Sequence, residues 1–151
     1  MEVHKIELEM QNNELIKAQE ELQKTKNEYF ELFEQAPVGY ISLGPSFRIL
    51  NANKTFCEIT GYEKKELINN YFSSLIVPEF QDIFHIANRE LIKTGKTQSV
   101  EIRLRTKNNT KRCFQAKFTS RKDRESFLLS FSDITEQKKI EIKLQESEEL
   151  Y

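Results

Sequence analysis

The stretch FRILNANKTFCEITGYEKKEL, residues 47–67, decides the fold. Its first four residues read as a strand. Asn53 can then cap a short helix over residues 54–60, because an Asn carbonyl accepts from the first free helical N–H groups. Gly61 ends that helix in left-handed geometry, which costs glycine little. Residues 63–67 make a second single turn.

Upstream, residues 38–43 read as another strand, and Gly44-Pro45-Ser46 as the turn between the two. Downstream, Pro78 opens a longer helix to about Thr94, and Gly95 ends it. After Gly95 the apolar period falls from 3.6 to 2. Val100, Ile102 and Leu104 form one alternating set. Phe114, Ala116 and Phe118 form a second, and Phe127, Leu129 and Phe131 a third. Asn108-Asn109 marks one hairpin turn, and the polar residues 121–124 mark another. Three antiparallel strands with one apolar face need a cover. The helices between residues 53 and 94 supply it, giving an α+β domain with helices on one face of a five-stranded antiparallel sheet.

The flanks have a different character. Residues 1–35 hold no Pro and no Gly, and Met1, Leu8, Leu15, Leu22 and Tyr29 recur every seven residues. This is the period of helices that wind around each other. The companion positions His4, Gln11, Ala18, Thr25 and Leu32 are mostly small or polar, so the seam is weak. A helix of this length spans about 50 Å. It predicts a homodimer through residues 1–35. Near the other end, Asp133 with Glu136 forms a capping-box-like start to a last helix. Its seam is Ile140, Leu144, Ser147 and Tyr151. Positions 18–29 and 140–151 match at an offset of 122 residues, which predicts that residues 135–151 lead to a further domain.

Composition narrows the function classes. Among 151 residues, 31% are charged yet the net charge is −1, with no basic run for nucleic acid or an anionic membrane. No apolar run spans a bilayer and no secretory signal is present, so the expected setting is cytoplasmic. Cys57 and Cys113 are read as reduced, buried packing residues. There is no GxSxG and no glycine-rich phosphate loop, so the chain is read as non-enzymatic.

The phrases QAPVGYISL, FRILNANKTFCEITGY, EKKEL, VPEF, Thr94-Gly95 and FSDIT follow one another in order over residues 34–135. This resembles a PAS domain, the sensory module of signalling proteins, most often of histidine kinases. The resemblance implies a sensor over residues 36–134, between a helix at 1–35 and a linker helix at 135–151. It implies that a stimulus in the core reaches an effector domain through those helices. It also implies that Asp133, Ile134 and Thr135 couple the sheet to the outgoing helix. The sequence departs from the family in its hairpin turns and in lacking a Trp in the later strands.

Phe56, Phe80, Phe84, Leu104, Phe114, Phe118 and Phe131 either line a small apolar pocket or fill it. Flavin-binding members form a photoadduct through a cysteine where this chain has Phe72, so no covalent flavin is expected. Some haem-binding members use a His on the long helix, and His85 falls near that place. On a helical wheel, however, it points about 130° away from the stripe of Phe80, Phe84, Ala87 and Leu91. A surface histidine is therefore the reading, with the cofactor left unknown. His4 lies too far along the chain to join a metal site. The alternatives are a ligand-free dimerising spacer, or a haem- or flavin-binding redox or gas sensor.

Overall fold

Alternation after Gly95 translates directly into paired strands. The computed structural model describes residues 2–121 and 125–149. The heptad position Met1, the seam position Tyr151 and residues 122–124 of the last hairpin turn lie outside the described residues. Contacts divide the chain into residues 1–35 and residues 36–151.

The first unit is one helix, α1 (Glu2–Gln35). Its heptad positions Leu8, Leu15, Leu22 and Tyr29 are all between 53% and 57% exposed. Their placement on one face follows from the seven-residue period.

The second unit begins with β1 (Gly39–Leu43) and β2 (Ile49–Ala52). Then come α2 (Lys54–Thr60), α3 (Lys64–Leu67), a 3₁₀ turn at Phe72–Leu75 and a second at Pro78–Phe80. Helix α4 (Gln81–Thr94) follows, then β3 (Gln98–Arg105), β4 (Lys111–Ser120), β5 (Phe127–Asp133) and α5 (Thr135–Glu149). The five strands form one antiparallel sheet in the order β2-β1-β5-β4-β3. The last strand therefore inserts at the centre, beside the first. Ile41 pairs with Leu129, Ala116 with Phe131, and Ile102 with Phe114. Because side chains alternate along a strand, these registers put one apolar face under the helices.

Both glycines expected to end helices do so. Gly61 has φ 81 and donates its N–H to the Cys57 carbonyl at 2.8 Å; Gly95 has φ 71 and donates to Leu91 at 2.8 Å. Several boundaries differ from the sequence expectation by a residue or more, and three of them have a structural reason. Strand β2 starts two residues late, because Phe47 takes a left-handed φ of 62 and closes the turn by donating to the Gly44 carbonyl. Its ring stacks on Phe127 with centroids 4.9 Å apart, a contact that offsets the cost of that backbone. The long helix starts at Gln81, because Pro78–Phe80 tightens into a 3₁₀ turn. Asp133 remains in β5, and α5 starts at Thr135.

The edges of the sheet are partly covered. Ile49 exchanges backbone hydrogen bonds with residues 69–70, and Val77 N–H donates to Arg103 on β3. Such cover reduces the tendency of an open edge to pair with another chain.

Candidate functional site

Six of the seven expected lining residues meet in one interior cluster. Phe56, Leu104, Phe114, Phe118 and Phe131 have no exposed surface, and Phe84 is nearly as buried. The rings touch in series. Phe56 to Phe131 is 5.3 Å between centroids, Phe131 to Phe114 is 6.0 Å, and Phe84 to Phe118 is 5.7 Å. Phe72 sits in the middle, 5.3 Å from Phe84 and 5.4 Å from Phe131. Phe72 thus holds a ring that joins helix side to sheet side. Tilted and edge-on pairs at these separations are favourable beyond their burial.

Phe80 departs from the expectation. It is half-buried at the margin of the cluster, with the Arg103 guanidinium 5.8 Å from its ring centroid. The 3₁₀ turn explains this: at three residues per turn, Phe80 falls out of register with the α4 stripe of Phe84, Ala87 and Leu91. His85 lies exposed on α4, its ring 5.5 Å from that of Phe84, where the wheel places it. Cys57 and Cys113 are not joined in a disulfide, and both are half-buried rather than buried. Cys113 alternates with the inward Phe114, so it faces away from the core, and the Arg103 Nε donates to its Sγ at 3.3 Å. No group of three or more metal-ligating side chains occurs among the described residues.

The corner at residues 60–62 is pinned to the β3–β4 hairpin. Lys107 N–H donates to the Thr60 carbonyl at 2.8 Å, and the Tyr62 hydroxyl donates to the Arg105 carbonyl at 3.2 Å. Lys107 also pairs with Glu66, and that hydrogen bond holds the Glu66 carboxyl below its ordinary range. Two clipped helices are needed so that Tyr62 and Glu66 can both reach the hairpin. Asn53 is the matching anchor at the other end of α2. Its carbonyl accepts from Phe56 N–H at 3.0 Å and Tyr40 N–H at 2.9 Å, and its amide donates to Val38 at 3.0 Å. Gly39 lets β1 approach α2 closely, since a Cβ there would lie 3.1 Å from the Phe56 ring.

Asp133, Ile134 and Thr135 form the junction between sheet and exit helix. The Asp133 carboxylate accepts from the Thr135 N–H at 2.9 Å, from the Thr135 hydroxyl at 2.6 Å and from Arg112 on β4 at 2.7 Å. Burial pushes this carboxyl up, but the hydrogen bonds from Thr135 and Arg112 outweigh it and hold it below the usual range. The expected box with Glu136 is replaced: Asp133 accepts from Thr135 itself, and Glu136 pairs with Lys139 at 3.6 Å. The Ile134 N–H donates to the Cys113 carbonyl at 2.9 Å, and the Cys113 N–H donates to the Thr135 hydroxyl at 3.1 Å. Sequence reasoning missed Arg112 and Lys107, because their partners lie 21 and 41 residues away. Two polar surface clefts, of about 530 and 390 Å³, flank the hairpin and share Asn108, Thr110 and Arg112.

Comparisons with known proteins agree with this architecture. The family model described as PAS domain matches residues 37–136. A PAS domain of an HTR-like protein from Haloarcula marismortui superposes with a TM-score of 0.67 at 16% identity, covering 78% of this chain and 98% of that one. A domain of a sensory box sensor histidine kinase/response regulator from Geobacter sulfurreducens gives 0.63 at 22%, covering 74% and 96%. A Rhodobacter sphaeroides LOV protein gives 0.65 at 18%, covering 74% and 68%. At these identities the likeness is one of fold. No curated protein matches the chain. No helix of the described residues is long and apolar enough to cross a membrane. With a family match across residues 37–136, well over half of its length, and a five-stranded antiparallel sheet under short helices, the chain belongs to the PAS domain family, whose members are sensory modules.

Proposed function

We propose that this chain is the sensory module of a larger cytoplasmic signalling protein, a histidine kinase, and passes a change in its core to an effector domain through α5. The observation that supports the reading most is the junction. Cys113, bonded to Thr135 through its backbone, is the neighbour of core residue Phe114; Asp133 lies two residues beyond core residue Phe131. A shift of either ring has a short path to the first turn of α5, through the β5 backbone and these hydrogen bonds. Two copies pair through the Leu8, Leu15, Leu22 and Tyr29 seam of α1. The stimulus acts by differential affinity for two arrangements of the sheet and helix.

The ring contacts favour a second reading, a ligand-free dimerising spacer. Phe72 puts its ring between α4 and the sheet, in contact with Phe84 and Phe131, and so takes up part of the space a ligand would need. A haem or flavin sensor would show as visible absorbance. Mass spectrometry of intact protein purified from its host separates the readings. A retained small molecule is expected for the sensor; repeated recovery at the bare polypeptide mass overturns core ligand sensing in favour of the spacer.

A further inference from the structure

Lys138 stands one turn into α5, where its N–H donates to the Ile134 carbonyl at 2.9 Å and closes the first helical turn. Its Nζ lies 2.9 Å from Glu101 Oε1 on β3 and 3.3 Å from Glu141 Oε2 on its own helix. Glu101 alternates with the inward Ile102 and so lies on the face of the sheet turned away from the core. Helix α5 is therefore held at two places. Its root is bonded to β4 and β5 through Thr135 and Asp133. Its first turn is bonded to the edge strand β3 through Lys138. Among the described residues, no hydrogen bond or ion pair ties residues 142–148 to the sheet, and Ile142 and Leu144 are exposed.

Two points of attachment define a direction; one point defines only a pivot. We propose that the Lys138–Glu101 ion pair is a clasp that sets the direction in which α5 leaves the sheet, and that opening it frees the helix to swing about Thr135. The clasp is easily opened. Both side chains are partly exposed, 31% and 49%, and such pairs are weak. Lys138 also keeps an ion pair with Glu141 when Glu101 is withdrawn, so its charge stays compensated. The hydrogen bonds it donates to Glu101 and Glu141 raise the ammonium above its ordinary range, so the clasp stays charged at neutral pH. A displacement of β3 against β4 and β5 is then the motion that opens it. This regulatory consequence rests on the relay proposed above; the attachment itself does not.

The test is the residual dipolar couplings of backbone amides by NMR in the whole chain, which read the direction of α5 relative to the sheet. Glu101→Lys breaks the clasp without altering the sequence of α5. A swing about Thr135 leaves the hydrogen bonds within the helix closed and averages its direction, so the couplings of residues 139–148 are expected to shrink together. Those of β4 and β5 keep their values. The charge-reversed double variant Glu101→Lys with Lys138→Glu is expected to restore the α5 couplings. Unchanged α5 couplings in Glu101→Lys overturn the clasp. So does an equal loss across sheet and helix, which would be lost stability rather than release, and so does failure of the double variant to recover. An empty core by mass spectrometry changes none of these couplings, so the sensor reading and the clasp fail separately.

Discussion

At the scale of single residues, Asn53 does more than cap a helix. It is fully buried and satisfies backbone groups on two elements, so α2 cannot shift along β1 without leaving polar groups unpaired. Replacing it with Ala removes the cap and the side-chain hydrogen bonds to the Tyr40 N–H and the Val38 carbonyl. The expected loss is about 3 kcal/mol, since a cap contributes roughly 1 and an unpaired buried group about 1–3. Urea denaturation reads this, with the adjacent exposed Lys54→Ala expected within about 0.5 kcal/mol of the parent. Gly61 has a different reason. Open space surrounds it apart from Lys107 Cβ at 3.5 Å, so backbone conformation rather than crowding selects glycine there.

At the scale of elements, the start of α5 should be acid-sensitive. The Asp133 carboxyl is held below its ordinary value in the folded chain, so its charged form is favoured by folding. The stability it contributes is present above the unfolded pKa, about 4, and fades as pH falls through the lower folded value. Asp133→Asn is therefore expected to lower the urea midpoint at pH 7 and to lower it by less at pH 3. An equal gap at both pH values would mean that the carboxylate's charge is not what matters. Helix α1 makes its own prediction. Leu15 and Leu22 are more than half exposed on a seven-residue repeat, an arrangement that leaves apolar surface in water unless another helix covers it. Leu15→Ala with Leu22→Ala is expected to shift sedimentation from dimer to monomer while circular dichroism of the sheet stays constant. An intact dimer would move the contact elsewhere.

At the scale of the whole molecule, the question is whether the interior is a pocket or a solid. Phe72 is the ring that bridges α4 and the sheet, in contact with Phe84 and Phe131. Phe72→Ala is expected to cost about 3–5 kcal/mol and to leave a cavity lined by aromatic rings. Apolar cavities of that kind stay dry and accept small apolar guests. Saturating benzene should then raise the melting temperature of Phe72→Ala and leave the parent unchanged. A parent raised equally would show that space for a guest already exists.

The architecture was readable from the residues because each cue is local. Period-two alternation at Val100–Leu104, Phe114–Phe118 and Phe127–Phe131 sets which face is buried, and Asn53, Gly61 and Gly95 set where helices start and stop. Their geometry depends on neighbours within a few positions along the chain. Heptad spacing in α1 is local in the same sense, and so is the orientation of His85 on α4. Several boundaries were not local. Phe47 takes a left-handed backbone because Phe127, 80 residues on, stacks against it, and Phe80 leaves the core because Pro78 tightens the turn before α4. The insertion of β5 between β1 and β4, and the pairs Arg112–Asp133, Lys107–Glu66 and Lys138–Glu101, carry no periodic trace in the chain. They join charges separated by 21 to 41 residues, and folding alone brings such groups within reach of one another.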